Sequence, residues 1–278
     1  MWSSWILVAG VALLGLVGFA LGRWLSRREG SSWLVAWAVP FLLVLGIALV
    51  RNIPSLEFVP PFSWIMAGRL EFALSVFSVT MMLSALGPRL SVRRQEAWLS
   101  VLALTCGIYM LLPFLLPPIF QGELSALETQ VDPDSVCRQQ TNYNCGPAAA
   151  VTALRKLGFE AEEGQIAVLA YTNPISGTQC DSLGIALEET YGDRGLECEY
   201  RRFETIDEMK PYGAVVTVIK FTFMIDHFVA VLEVGEKHVL LGDPAKGVQR
   251  LSRRAFREIW RGRGLALRRT NSQSTAKD

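Results

Sequence analysis

Cys145 stands in a sequence context that favours a reactive thiolate. It is followed by Gly146, Pro147 and an Ala-rich stretch, CGPAAAVTALRKLG, whose apolar residues have helical spacing. Because proline is common at the first helical position, the pattern predicts a helix with Pro147 as its first residue and Cys145 near the cap. A sulfur there feels the positive end of the helix dipole, which favours thiolate, and Gly146 lets a substrate carbonyl approach closely. The chemistry predicted is nucleophilic attack on a carbonyl carbon.

An amide side chain upstream can support that attack. Gln139 lies six residues before Cys145, and its N–H₂ group together with the Cys145 backbone N–H would form an oxyanion hole. Gln140 is the competing donor, one residue closer. Cys180, within TQCDS, is the rival nucleophile, since it also begins a predicted helix. It has neither Gly-Pro after it nor an amide donor at the matching distance, so Cys145 with Gln139 is the preferred pair.

The nucleophile needs a base, and the chain has two histidines, His227 and His238. The stretches FVAVLEV and HVLLGD predict a β-hairpin, and a loop with an odd number of residues centred on Gly235 would place His227 directly opposite Asp243. Their Cβ atoms would then lie roughly 5 Å apart, within reach of a hydrogen bond that orients the imidazole. A two-residue loop would instead put them on opposite faces. His238 is interpreted as a surface residue in the turn.

The other cysteines do not form a metal-binding pattern. The five cysteines contain no C-x-x-C pair, and two histidines give no zinc-type spacing, so we predict neither a metal nor a cofactor. Cys137, Cys180 and Cys198 could include a disulfide or remain loop or core thiols. The net charge of +1 argues against a nucleic-acid partner.

The first 119 residues predict a membrane domain. Each of four apolar stretches approaches the roughly 20 residues that span a bilayer core. The first has no basic leading region and no small-residue cleavage site, so it is interpreted as a span rather than a signal peptide. The predicted spans are about 4–22, 33–50, 66–87 and 97–119.

Arginines predict the orientation of these spans. The loops 23–32 and 88–96 hold six arginines together, whereas the loop 51–69 holds two and the stretch 121–136 holds none. Since positive loops face the cytoplasm, everything after the fourth span should lie outside it. The expected location is a bacterial inner or plasma membrane, with the C-terminal domain outside the cytoplasm.

An acidic linker, 120–132, leads to a domain predicted over 133–268. Helical patterns come first, and strand patterns follow, with AVVTVIKF as the central strand and SRRAFREIW as a late amphipathic helix. This order predicts an α+β domain with an antiparallel sheet. The tail 269–278 is polar and predicted to be disordered.

The assembled motifs resemble those of the bacteriocin-processing cysteine peptidases, papain-like domains that cut precursors after a double-glycine leader. The matching stretches cover about 130 residues and include CGPAAAVTAL, GTQCDSLGIALEE, DHFVAVLEV and LGDPAKGVQRLSRRAF. The resemblance implies that Cys145 is the nucleophile, His227 the base and Asp243 its orienting partner. It also implies that Gln139 supports the oxyanion.

The chain departs from transporter-fused members of that family, in which the peptidase comes first and six spans and an ATPase follow. Here the peptidase-like stretch follows four spans, and no GxxxxGK[ST] phosphate loop is present, so ATP-driven transport would need a separate transporter or secretion component. The preferred interpretation is a membrane-anchored endopeptidase acting on a peptide or protein substrate. The alternatives are a transpeptidase or amidase using the same residues, and a non-catalytic, peptide-binding accessory subunit of a secretion system.

Overall fold

The chain divides into two units, 1–119 and 120–278, and apolar helices make up the first. In the computed structural model, residues 2–28, 30–53, 56, 58–66, 70–90, 92–222 and 225–270 are described. The helices that begin in the first unit are α1 (Trp2–Arg27), α2 (Ser32–Asn52), α3 (Phe62–Met66), α4 (Leu70–Leu86) and α5 (Arg93–Ser125).

Within the described ranges, four helical stretches are long and apolar enough to cross a membrane. They overlap the four predicted spans, and many of their large apolar side chains are exposed in the structure. The last helix continues to Ser125, past the predicted end of its span at 119. Residues 67–69 of the predicted third span lie outside the described residues. The four stretches are Trp5–Arg27, Ser32–Val50, Leu70–Arg89 and Arg93–Ser125.

Small residues bring α1 close to α4. A Cβ added at Gly18 would lie 2.5 Å from the Phe77 carbonyl oxygen, and one added at Gly22 would lie 2.3 Å from that of Met81. Helices in lipid associate through such close backbone contact because no hydrophobic force drives them together. The GxxxG spacing of Gly18 and Gly22 therefore accounts for this packing.

The second unit has the predicted α+β architecture. Among its described residues, six strands form one antiparallel sheet in the order β1-β6-β2-β3-β4-β5. The helices are α6 (Cys145–Lys156), α7 (Glu163–Leu169), α8 (Cys180–Tyr191) and α9 (Arg253–Ile259). The strands are β1 (Leu196–Arg202), β2 (Ala214–Thr222), β3 (Ile225–Val234), β4 (His238–Asp243), β5 (Gly247–Ser252) and β6 (Trp260–Arg269).

Strand β2 is interior to the sheet, as its β-branched sequence predicts. Val216 and Val218 pack with the α6 and α8 side chains on one face, while Val215 and Ile219 pack with Phe256 of α9 on the other. Both faces are therefore covered, which explains why β2 is apolar without alternation. Strand β5 was not predicted, because GVQRLS is short and half polar. Residues 271–278 of the predicted disordered tail lie outside the described residues.

The start of α6 differs from the prediction. The helix begins at Cys145, with Asn144 as its N-cap, so that Pro147 is the third helical residue rather than the first. Proline lacks an N–H, and none of the N–H groups in a first helical turn has a partner within the helix. Pro147 is therefore compatible with any of these positions and does not fix the helix start.

The predicted register of the β3–β4 hairpin is also wrong. The Gly235 N–H donates to the His238 carbonyl at 2.9 Å, so Glu236 and Lys237 form a two-residue turn. Val234 then pairs with Val239, whereas beyond Leu232 the register is Val231 with Leu241. Leu232 is thus the extra residue of a β-bulge.

The bulge restores the alternation that a two-residue turn alone would reverse. Continuing the register beyond Gly242, which pairs with Ala230, places Asp243 opposite Val229. His227 is two residues further along, so it is a diagonal neighbour of Asp243 on the same face of the sheet. The two side chains meet, although not through the direct pairing predicted.

Candidate active site

His227 and Asp243 form a buried hydrogen-bonded pair. The His227 Nε2 atom lies 2.8 Å from Asp243 Oδ1, and the two residues are 4% and 3% exposed. The ring of Phe221 covers His227 with a centroid separation of 4.9 Å. Little water therefore screens the interaction between this imidazole and the carboxylate.

Cys145 contacts the same imidazole. Burial lowers the pKa of His227, but the hydrogen bonds to Asp243 and Cys145, with the charges of both, outweigh it and raise the pKa to about 9. Because Nε2 is taken by Asp243, Nδ1 is the ring nitrogen left for the Cys145 thiol. The imidazole therefore lies between a sulfur and a carboxylate, an arrangement that suits proton exchange with the sulfur.

Asp243 is held as an acceptor at the end of β4. Its Oδ1 also accepts the Ala245 N–H at 2.8 Å. Burial raises the pKa of Asp243, but the hydrogen bonds from His227 and Ala245, together with the positive charges of His227 and Lys246, hold that pKa below its usual value. Asp243 is therefore ionised in the range where His227 titrates.

Gln139 is anchored at both its backbone and its side chain. The Gln139 N–H donates to the Pro244 carbonyl at 3.1 Å, directly after Asp243, and Nε2 donates to the Thr141 carbonyl at 2.8 Å. Its Oε1 atom is buried and accepts no hydrogen bond from any described part of the chain. Gln140, the competing donor, is exposed and donates instead to the Glu128 carbonyl.

The other cysteines and His238 occupy different environments. All five cysteines, each of which the structure describes, are free thiols. Cys180 begins α8, as predicted, and is buried in the core beneath the sheet. Burial raises the pKa of the Cys198 thiol to about 12 and, with the neighbouring Glu163, raises that of Cys137 well above its usual value. His238, predicted as a surface residue in the turn, is instead the half-buried first residue of β4 and pairs with Ser252.

The model of the peptidase C39 family matches residues 134–272, half of the chain. The chain belongs to the peptidase C39 family. An uncharacterized protein of Methanothermobacter marburgensis is 32% identical over 147 residues, which cover 53% of this chain and 97% of that protein. An uncharacterized protein of Methanothermobacter thermautotrophicus is 30% identical with the same coverage.

Two solved structures are similar at lower identity. The peptidase domain of Streptococcus ComA, a bi-functional ABC transporter involved in a quorum-sensing pathway, is 19% identical with a TM-score of 0.41, covering 48% of this chain and 96% of that domain. A double-glycine-motif protease from an AMS/PCAT transporter, solved in complex with the leader peptide, is 20% identical with a TM-score of 0.40. The match covers 52% of this chain and 96% of that protease. The C39 assignment agrees with the motif resemblance found in the sequence.

Two polar residues of the C39 domain beside Cys145 were not singled out from the sequence. Asn144 and Glu163 are both 0% exposed, and Asn144 Nδ2 donates to Glu163 Oε1 at 2.6 Å. Asn144 Oδ1 accepts the Thr141 N–H at 3.1 Å. The residue that precedes the thiol is thus bonded both to a buried carboxylate and to the loop before the helix.

A periodicity signal could have found Glu163. In EGQIAVLA, Glu163, Ile166, Ala167 and Ala170 share the i, i+3, i+4, i+7 spacing that marks one face of a helix, and all four are buried. An acidic residue on an apolar face needs a partner, because burial of a lone carboxylate is costly. Sequence alone does not show that the partner is Asn144.

Proposed function

We propose that this chain is a membrane-anchored cysteine endopeptidase with Cys145 as nucleophile, His227 as base and Asp243 as its orienting partner. The observation that carries the proposal is that His227 contacts both Cys145 and Asp243, with Nε2 2.8 Å from the carboxylate. A thiol beside an imidazole that is oriented by a third polar group is the arrangement on which thiol peptidases rely, and here the third group is a carboxylate.

Each residue would have a defined step. The Cys145 thiolate attacks the peptide carbonyl carbon, and the developing oxyanion accepts hydrogen bonds from the Cys145 N–H and the Gln139 amide. His227, protonated, donates its proton to the leaving amine as the C–N bond breaks. His227 then takes a proton from water, whose oxygen attacks the thioester carbon; the C–S bond breaks and the Cys145 thiolate is released beside protonated His227. The carboxylate of Asp243 stabilises the imidazolium throughout.

The proposed substrates are peptide or protein precursors, and precursors with a double-glycine leader are the first class to test. The motif resemblance and membership of the C39 family support this choice. A separate transporter or secretion component is the proposed partner, a choice supported by the resemblance to peptidases that are fused to export machinery. The arginine distribution supports a peptidase domain outside the cytoplasm.

The test uses the full chain in detergent with a quenched fluorescent peptide that contains an internal Gly-Gly, beside an iodoacetamide-based thiol probe. We expect Cys145→Ala and His227→Ala to lower peptide cleavage by about 10³-fold or more. The matched controls are Cys180→Ala and His238→Ala, which should retain cleavage and labelling. Probe labelling or cleavage that survives in Cys145→Ala would contradict the assignment.

The side of the membrane on which the C-terminal domain lies is tested with reporter fusions. We expect a C-terminal alkaline phosphatase fusion to be active and the corresponding green fluorescent protein fusion to be dark. The opposite pair of results would place the peptidase domain in the cytoplasm and leave the cleavage chemistry unaffected.

A further inference from the structure

A continuous series of hydrogen bonds leads from α7 to the proposed oxyanion donor. Glu163 Oε1 accepts from Asn144 Nδ2 at 2.6 Å, and Asn144 Oδ1 accepts the Thr141 N–H at 3.1 Å. The Thr141 carbonyl in turn accepts from Gln139 Nε2 at 2.8 Å. Three bonds thus connect a buried carboxylate to the side chain that would face the oxyanion.

Glu163 is held by contacts at its backbone and at both oxygens of its carboxylate. Its backbone N–H donates to Thr129 Oγ1 at 2.8 Å, and its second carboxylate oxygen lies 3.6 Å from the Cys137 sulfur. Burial raises the pKa of Glu163 to about 7, and the hydrogen bond from Cys137 lowers that pKa by a smaller amount. A carboxylate with water excluded makes a strong bond to the Asn144 amide.

The segment that these bonds hold has no regular structure. Between Gln139 and Asn144 no residue belongs to a helix or strand, so backbone pairing does not fix its conformation. The bond to the Thr141 carbonyl occupies one N–H of the Gln139 amide and leaves the second for another acceptor. The direction of that second N–H therefore depends on where Asn144 holds Thr141.

We propose that Glu163 is a positioning residue that, through Asn144 and Thr141, orients the Gln139 amide toward the oxyanion. The proposal rests on the proposed function, since it assumes that Cys145 attacks a carbonyl. It assigns Glu163 no contact with substrate. Removing the carboxylate should therefore impair steps that build an oxyanion and spare steps that do not.

Two small probes separate those steps in the full chain. With p-nitrophenyl acetate, the Cys145 sulfur bonds to the acetyl carbon through a tetrahedral oxyanion, and p-nitrophenolate leaves with the bonding electrons. With iodoacetamide, the same sulfur displaces iodide, and no carbonyl oxygen gains charge. The rate measured with Cys145→Ala is subtracted from each rate. The reactivity of the thiolate affects both rates, so a change in the ratio of the acylation rate to the alkylation rate reports a change in the oxyanion hole.

We expect Gln139→Ala to lower this ratio by about 100-fold and Glu163→Gln, which keeps size but not charge, to lower it by about tenfold. Asn144→Ala should act in the same direction as Glu163→Gln. In the combined variant Gln139→Ala, Glu163→Gln, the ratio should equal that of Gln139→Ala alone, because Glu163 then has nothing left to orient. Glu162→Gln, at the exposed neighbouring position, is the matched control and should leave the ratio unchanged.

The outcomes distinguish the two proposals. If Glu163→Gln lowers acylation and alkylation equally, or if its effect multiplies with that of Gln139→Ala, Glu163 does not act through Gln139 and the inference is wrong. Peptide cleavage that persists in Cys145→Ala would instead overturn the proposed function. Thermal unfolding of each variant shows whether it is folded, and Asn144→Ala provides a second test if Glu163→Gln is not.

Discussion

Replacing Asp243 with asparagine should move the high-pH limit of activity downward. The side chain keeps its size, but the charge that stabilises the imidazolium is lost. In the intact site the pKa of His227 is about 9, against an ordinary value of 6.5, and the hydrogen bond to Asp243 is the largest of the effects that raise it. Cleavage needs protonated His227 to supply the leaving amine, so the rate should fall as this group deprotonates.

The magnitude follows from these two values. At about pH 8, a pKa of about 9 leaves about 90% of His227 protonated, whereas 6.5 would leave about 3%. Loss of the whole shift would therefore lower the competent fraction about thirtyfold at this pH, which is equivalent to about 2 kcal/mol. Since Cys145 also raises the pKa of His227, the midpoint in Asp243→Asn should lie between the two values.

The assay is kcat/KM for the fluorescent peptide across about pH 6 to 10. Asp226→Asn is the matched control, because Asp226 Oδ1 bonds to Arg261 at 2.7 Å rather than to the imidazole, and its high-pH midpoint should equal that of the wild type. An unchanged midpoint in Asp243→Asn would refute the argument that this carboxylate sets the pKa of His227.

Stability should also respond to pH and to packing. The pKa of His227 is higher in the folded chain than the ordinary value of 6.5, so protonation of His227 stabilises the fold fully below about pH 6.5, and this stabilisation is lost as pH rises through about 9. The midpoint of thermal unfolding should therefore fall over that pH range, and it should fall less in His227→Gln. Leu183→Ala, fully buried in α8, should cost about 2–5 kcal/mol in denaturant titration, and a cost under about 1 kcal/mol would contradict the packing. Gly164→Ala places a methyl group 2.9 Å from the Leu124 carbonyl oxygen and should lower the free energy of unfolding by about 1–3 kcal/mol. In the control Gly192→Ala the new methyl group lies no closer than 3.8 Å to any neighbouring atom. Equal effects of the two substitutions would contradict the close contact at Gly164.

The elements of the C-terminal unit were predictable because their signals are local. The apolar spacing after Cys145 predicts α6, and the helix ends where Gly158 adopts a positive φ of 79°. The β-branched run of β2 predicts an interior strand. In these stretches the intrinsic propensity of the residues and the burial of their apolar side chains favour the same secondary structure, so tertiary contacts do not change it.

The hairpin register could not be predicted in the same way. The bulge at Leu232 has a contact from outside the hairpin, because the Lys156 Nζ donates to the Leu232 carbonyl. A residue on a helix about eighty positions earlier in the sequence thus helps to hold an irregularity that no hairpin pattern contains. The same reason applies to Glu163, whose burial is visible in the periodicity but whose bond to Asn144 is a tertiary contact.

The bulge has a consequence for how this hairpin tolerates insertions and deletions. The two-residue turn and the extra residue at Leu232 compensate each other, so the spacing between His227 and Asp243 is preserved only in combination. Shortening or lengthening the turn by one residue would rotate Asp243 to the far side of the sheet unless the bulge changed at the same time. Loop grafting in this hairpin therefore requires paired edits, whereas length changes of two residues preserve the alternation.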